Sequence, residues 1–375
     1  PKGYKKELTT RQVPWGWNGF SEAIYMRTYS RTMEDGRQER WADTVIRVVE
    51  GVFSIRKNHY NNIGVRWDNR YWTSLAQEMS DAIFEMKMLP SGRGLWAMGT
   101  DFVYKRGASP LYNCSYTAII DNLSSPADWL MQMLMNGVGV GFGVNTARLH
   151  KFIGPSTDAR PFVIPDSREG WAESVRALIL SYETGGASVA FRYDDIRPAG
   201  SRLAGFGGIA SGPEPLRRLH ERLRNYLDGY VRGETSPTRL ICDTMNAIGA
   251  CVVAGNVRRS AEAAIGSIYD TEFLNLKNYD LHPERADIGW NSNNTVAIRE
   301  PEEFEMIPML AERIRDNGEP GIMNMVNVQK YARTGKKKHD PAIGGNPCQP
   351  AWATVLTPKG VRRIADINIG DSIWS

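Results

Sequence analysis

The chain has 375 residues, is 42% hydrophobic and 23% charged, and carries a net charge of +4. That length holds one large domain or two ordinary ones, with a composition ordinary for a soluble globular protein. The basic residues are scattered apart from Lys336-Lys337-Lys338, read as a solvated loop, so no nucleic-acid stripe and no DNA partner are expected.

In chain order, residues 1–89 are expected to be mainly helical. Trp41-Ala-Asp-Thr-Val-Ile-Arg-Val-Val-Glu-Gly51 has apolar residues at helical spacing and a terminal glycine. Leu75-Ala-Gln-Glu-Met-Ser-Asp-Ala-Ile-Phe-Glu-Met-Lys-Met-Leu89 repeats the pattern, Pro90 stops it, and its methionines are read as core filler. From Pro90 to about residue 300 the pattern becomes α/β. Short apolar runs such as Val138-Gly-Val-Gly-Phe-Gly-Val144 alternate with helical ones such as Trp171-Ala-Glu-Ser-Val-Arg-Ala-Leu-Ile-Leu180, which favours parallel strands with helical crossovers. Residues 301–333 are expected to be helix, then loop.

No apolar run approaches the roughly 20 residues of a membrane span, and Pro1-Lys-Gly-Tyr-Lys-Lys lacks a signal-peptide core. No membrane is expected. Cys114, Cys242, Cys251 and Cys348 have no CxxC or Cys/His spacing, and the five histidines form no HExxH. A disulfide scaffold and a metal site are not expected. A reducing cytoplasm, of a cell or of a phage-infected host, with one or two reactive thiols fits better.

Five stretches could carry chemistry. Pro90-Ser91-Gly offers backbone N–H groups and a hydroxyl to a phosphate or sugar edge, followed by Asn113-Cys114-Ser115, where a structural cysteine is the competing reading. Gly137-Val-Gly-Val-Gly-Phe-Gly143 has glycines at period two and no acidic residue about twenty positions on, so it reads as a strand that something approaches closely, not a dinucleotide turn. Gly255-Asn256-Val-Arg258-Arg259-Ser260 sets two guanidiniums beside flexible backbone, which suits a nucleotide, or is a plain surface turn. Asp194-Asp195-Ile-Arg197 is read as a structural Asp–Arg pair. Asn346-Pro347-Cys348 puts a thiol on a proline-constrained loop, fit for a radical carrier or a nucleophile.

In this order, over roughly residues 15–348, these pieces resemble the adenosylcobalamin-dependent (class II) ribonucleotide reductases, closest to the monomeric ribonucleoside-triphosphate reductases. Further stretches that carry the resemblance are Arg27-Thr-Tyr-Ser-Arg31, Pro165-Asp-Ser-Arg-Glu-Gly-Trp171, Gly205-Phe-Gly-Gly-Ile-Ala-Ser-Gly-Pro213 and Asn317-Gly-Glu-Pro-Gly-Ile322. The resemblance implies a ten-stranded α/β barrel with a central finger loop, of which residues 90–347 would be the first half. It implies adenosylcobalamin as radical source, a ribonucleoside triphosphate substrate, a deoxynucleotide effector and a thioredoxin-like reductant. Cys114 matches one cysteine of the reducing pair, Asn346 the asparagine that hydrogen-bonds the ribose, and Gly255 to Ser260 the loop coupling effector to substrate choice. Pro90, Ser91, Asn113 and Ser115 fall in the substrate-binding stretches. Most of the cobalamin surface would lie outside the chain.

Where that family continues Asn-Pro-Cys-Gly-Glu, this chain has Gln349-Pro350. Cys348-Gln-Pro-Ala-Trp-Ala-Thr-Val-Leu-Thr-Pro-Lys-Gly360 and Ile364-Ala-Asp-Ile-Asn-Ile-Gly-Asp371 resemble the opening block of an intein. Residues 348–375 are therefore expected to be a short β fragment with a hairpin around Pro358-Lys-Gly360, and Cys348 the splice nucleophile attacking the Pro347 carbonyl. Without an intein, Cys348 would be the thiyl carrier. The expected partner is a complementary C-terminal intein–reductase fragment; the alternatives are a catalytically silent nucleotide-binding precursor or an uninterrupted reductase with a divergent finger loop.

Overall fold

The computed structural model describes residues 1–33, 35–144, 149–201, 209–254, 261–331, 340–346, 354–357 and 360–363. The chain divides into two compact units, Pro1–Asn113 and Cys114–Ser375.

The first unit is helical: α1 (Lys2–Thr10), α2 (Phe20–Thr28), α3 (Trp41–Asn62), α4 (Asn69–Phe84), α5 (Gly92–Ala97) and α6 (Asp101–Arg106). In α3, Trp41, Val45 and Val49 recur every four residues, share one face, and pack with Leu8, Tyr25, Ile83, Phe84 and Leu95. The Trp41 indole N–H reaches the Phe84 carbonyl at 2.9 Å, and Asp68 caps α4 by accepting the N–H groups of Arg70 and Tyr71. Two expectations are corrected. Gly51 does not end α3, which runs eleven residues further; a side chain there would strike the backbone of Gly99, 2.5 Å away. Close approach, not termination, explains that glycine. The α/β pattern also starts later than Pro90, because α5 and α6 intervene.

The second unit carries β1 (Cys114–Ile119), α7 (Ser124–Met135), β2 (Gly139–Val144), β3 (Ser156–Val163), α8 (Arg168–Thr184), β4 (Ala187–Arg192), α9 (Glu214–Val231), α10 (Pro237–Val253), β5 (Glu262–Gly266), α11 (Thr271–Asn275), β6 (Ser292–Ile298), α12 (Ile307–Asn317), β7 (Gly321–Asn324), α13 (Met325–Tyr331), β8 (Thr354–Thr357) and β9 (Gly360–Arg363). A five-stranded sheet runs in the order β1-β2-β5-β6-β7, every pair parallel. The expected α/β class, with a helical N-terminal region and a parallel sheet, is what the chain adopts. The four-residue β7 falls in a stretch expected to be helical; so short a strand leaves no readable period.

One face of the sheet meets the helices. Val140 and Phe142 of β2, Ile119 of β1 and Val296 and Ile298 of β6 are buried there with Leu130, Leu178, Leu223 and Ile248. The opposite, inner face has a smaller cluster of Ile265, Ala297 and Met325, against which Tyr116, Met323 and Ala342 pack.

β3 and β4 form a separate parallel pair, and β3 is exposed along most of its length. Ile164 donates its N–H to the Arg192 carbonyl. Alternation turns the nitrogen of Pro161 the other way, so the one residue without an N–H sits on the outer edge. β8 and β9 form the expected antiparallel hairpin.

Charge buried beside α10 is fully engaged. Arg285 is 1% exposed and donates to Asp243 at 2.6 Å, to Asn246 at 3.1 Å and to the Leu276 carbonyl. Asp243 also accepts from Arg239 at 2.5 Å, and Asn246 donates on to Glu262 at 3.0 Å. Asp243→Ala would strand a buried guanidinium and should cost about 3–5 kcal/mol in urea-melt stability.

His220 is buried in a stack on Phe191, 3.9 Å between centroids. Ser174 gives its only proton to the Trp171 carbonyl, so its oxygen accepts from His220 Nε2 at 2.9 Å, and Nδ1 accepts the Tyr193 hydroxyl at 2.8 Å. Burial, with the Arg224 charge adding to it, pushes the imidazole down to about 3. An unfolded histidine titrates near 6.5, so between those values the unfolded chain binds a proton that the folded chain refuses. This contribution is complete above about pH 6.5 and falls by about 1.4 kcal/mol per pH unit below it. Urea midpoints at pH 7.5 and 5.5 should show that loss in the parent and not in His220→Gln.

Candidate active site

The candidate residues fall into three groups. Pro90, Ser91 and Asn113 belong to the first unit. Ser91 caps α5, its hydroxyl oxygen accepting the Gly94 N–H at 3.2 Å. Asn113 accepts from Arg93 Nε at 2.8 Å. The turn they flank is pinned from α3: Arg47 donates to the Leu95 carbonyl at 2.8 Å and the Met98 carbonyl at 2.5 Å, and to buried Glu39 at 2.6 Å.

Cys114, Ser115 and Asn346 belong to the second unit. Alternation along β1 sends Cys114 and Tyr116 to the inner face and Ser115 and Ile119 to the helix face. Ser115 donates to the Gly139 carbonyl at 3.2 Å, holding β1 to β2. Cys114 is half-buried and lies in register with Gly139, which carries no side chain.

The alternating glycines of β2 were expected to admit something at close range, and they do. Gly141 faces the segment 340–346: a Cβ on it would run into the Gly345 carbonyl oxygen. The segment is tethered on its way in. Asp340 N–H donates to the Gln329 carbonyl at 2.8 Å, Gln329 Nε2 to the Ala342 carbonyl at 3.0 Å, and Arg299 to the Ile343 carbonyl at 3.1 Å. The structure thus brings Asn346, half-buried, and Cys114 to the same side of one sheet.

Gly255, Asn256, Arg258, Arg259, Ser260 and Cys348 lie outside the described residues, as do Gly205 and the lysines at 336–338. Asp194 and Asp195 occupy a turn after β4, and Arg197 pairs instead with Asp166 at 2.5 Å, which corrects the expected pairing. Cys242 and Cys251 are buried in α10. Desolvation pushes both thiols up, Cys251 to about 12, so they are inert. Tyr116, Gln329 and Arg299 were not singled out from sequence; only Tyr116 left a signal, standing two residues beyond Cys114 on the same strand face.

Among the described residues no cluster of three or more His, Cys, Asp or Glu could hold a metal, and no helix is long and apolar enough to cross a membrane. At Gly141 and Gly143 the bare stripe of β2 is filled by the chain's own loop and by Tyr116, and no described residue is assigned to a corrin ring. Native chain treated with iodoacetamide at pH 8 should be alkylated at Cys114 at least about 100-fold faster than at Cys242 or Cys251, as read by peptide mass spectrometry.

Residues 2–100 match the ribonucleotide reductase alpha domain, and residues 140–226 match the insertion domain of B12-dependent ribonucleotide reductase. An adenosylcobalamin-dependent ribonucleoside-triphosphate reductase of Euglena gracilis is 41% identical over 92% of this chain and 48% of its own length. The like-named protein of Lactobacillus gasseri is 30% identical over 92% of this chain and 53% of its own. The crystal structure of a B12-dependent (class II) ribonucleotide reductase superposes with a TM-score of 0.76 at 28% identity, over 90% of this chain and 54% of that one. The chain spans about half the length of the curated relatives it matches. In sequence and in fold, then, it is related to the class II, adenosylcobalamin-dependent ribonucleotide reductases and corresponds to their N-terminal part.

Proposed function

We propose that the chain contributes the N-terminal part of an adenosylcobalamin-dependent reductase that converts ribonucleoside triphosphates to 2′-deoxyribonucleotides in the cytoplasm, and that a segment opening at Cys348 splices it to its remaining part. The observation that carries the reductase reading is the segment 340–346, laid against the inner sheet face to which β1 presents Cys114, in a chain whose relatives bear that name.

Loss of a ribose 2′-hydroxyl as water takes up two electrons and two protons, which a pair of thiols supplies on closing to a disulfide. Cys114 is one member of that pair, and a thioredoxin-like protein reopens the bond. Asn346 has an amide to donate to and accept from the ribose hydroxyls. Pro90, Ser91 and Asn113 lie in stretches assigned to the nucleotide, while Ser115, turned to the helix face with its hydroxyl on the Gly139 carbonyl, serves by holding β1 beside β2. Gly255, Asn256, Arg258, Arg259 and Ser260 couple a bound deoxynucleotide effector to substrate choice. Adenosylcobalamin, when bound, supplies the radical that starts the chemistry. The splicing reading is supported by the Cys348 block in the sequence and by the hairpin of β8 and β9.

The test mixes the chain with a complementary fragment that carries the rest of the intein and the reductase. Mass spectrometry should find a ligated species lacking residues 348–375, lost in Cys348→Ala; no such species sinks the splicing reading alone. The ligated protein should reduce CTP or ATP with adenosylcobalamin and a thioredoxin system, and Cys114→Ser should abolish multiple turnovers. No deoxynucleotide from the parent under any of these conditions would sink the reductase reading.

A further inference from the structure

Tyr116 holds what the tethers leave loose. Hydrogen bonds from Gln329 and Arg299 fix the segment 340–346 as far as Ile343. Beyond that point the described contacts are steric. The Tyr116 ring fills the space where a side chain on Gly344 would stand, and its hydroxyl the space above Gly143. Gly141, in register with Tyr116 on the neighbouring strand, is bare where the Gly345 carbonyl comes down. Ring and stripe together form a seat two residues along β1 from Cys114. The ring is partly buried, and desolvation raises the phenol above its ordinary value, with the Arg299 charge opposing, so it remains a neutral packing surface.

We infer that Tyr116 is a positioning residue: with the glycine stripe of β2 it sets the backbone of residues 344 and 345, and so places Asn346 over the face that carries Cys114. The seat itself is a property of this chain; its consequence for turnover rests on the reductase reading above.

Hydrogen exchange on the 375-residue chain tests the seat. Tyr116→Ala should speed exchange of the amides of 344–346 about tenfold or more, and Gly141→Ala, which drives a methyl at the Gly345 carbonyl, should do the same. Tyr116→Phe should exchange within about twofold of the parent, because the ring carbons that occupy the space over Gly344 remain when the hydroxyl oxygen beside them is removed. Gly345→Ala should also exchange like the parent, since a Cβ there meets nothing within 4 Å. Parent-like exchange in Tyr116→Ala or Gly141→Ala overturns the inference, as does a Phe variant as loose as the Ala variant. If Tyr116→Ala does not fold, Gly141→Ala decides alone.

In the chain joined to its complementary part, Tyr116→Ala should lower kcat about tenfold or more with KM within about twofold, and Tyr116→Phe should restore it. A change in KM alone, or no rescue by Phe, overturns the positioning role. A parent assembly that makes no deoxynucleotide defeats the reductase reading and leaves the exchange result standing.

Discussion

A parallel sheet can take a length of main chain on its inner face only where side chains are missing. That constraint governs this molecule. Within β2, Val140 and Phe142 turn to the helices and are wholly buried, while Gly139, Gly141 and Gly143 turn the other way. A glycine in a strand costs roughly 0.5–1 kcal/mol relative to alanine, and three on one strand are a standing loss. The loss is offset where β2 is flanked by β1 and β5 and where the Gly345 backbone and the Tyr116 side chain occupy the space over Gly141 and Gly143. A methyl group at Gly141 would meet a carbonyl oxygen, which, unlike the end of a flexible side chain, cannot swing aside.

Much of this was legible in the sequence for a physical reason. Glycines at period two beside apolar residues at period two read as a strand with one bare face rather than a dinucleotide turn, and the close approach followed from that. The hairpin at Gly360 and the helical N-terminal region were readable from the same kinds of period. What was not readable depended on partners distant in sequence. Gly51 looks like a helix stop until Gly99 is placed against it. Arg197 looks paired to its neighbours until Asp166 arrives from 31 residues away. Of the candidate site, Cys114 and Asn346 stood out as residues, yet the tethers from Gln329 and Arg299 have no local signature at all.

The second unit also depends on charge in its interior. Arg285, Asp243, Arg239, Asn246 and Glu262 form one connected set that runs from the 3₁₀ turn at Pro283–Arg285 through α10 to the start of β5. Each member neutralises or satisfies another, so the set tolerates burial that a lone ion would not. It also links α10 to the first residue of β5, the strand next to β2. The lever that aligns the sheet's middle strands is therefore electrostatic on the helix side and steric on the inner side.

The exposed strand β3 invites a different kind of consequence. Among the described residues β3 and β4 make a two-stranded ribbon, and seven of the eight residues of β3 are exposed, the sort of surface on which copies of a protein stack into fibres. Proline at 161 takes away a donor at the very rim where a newcomer would dock, so the ladder is broken before it can propagate. One absent hydrogen atom thus makes that rim a poorer template for a further strand.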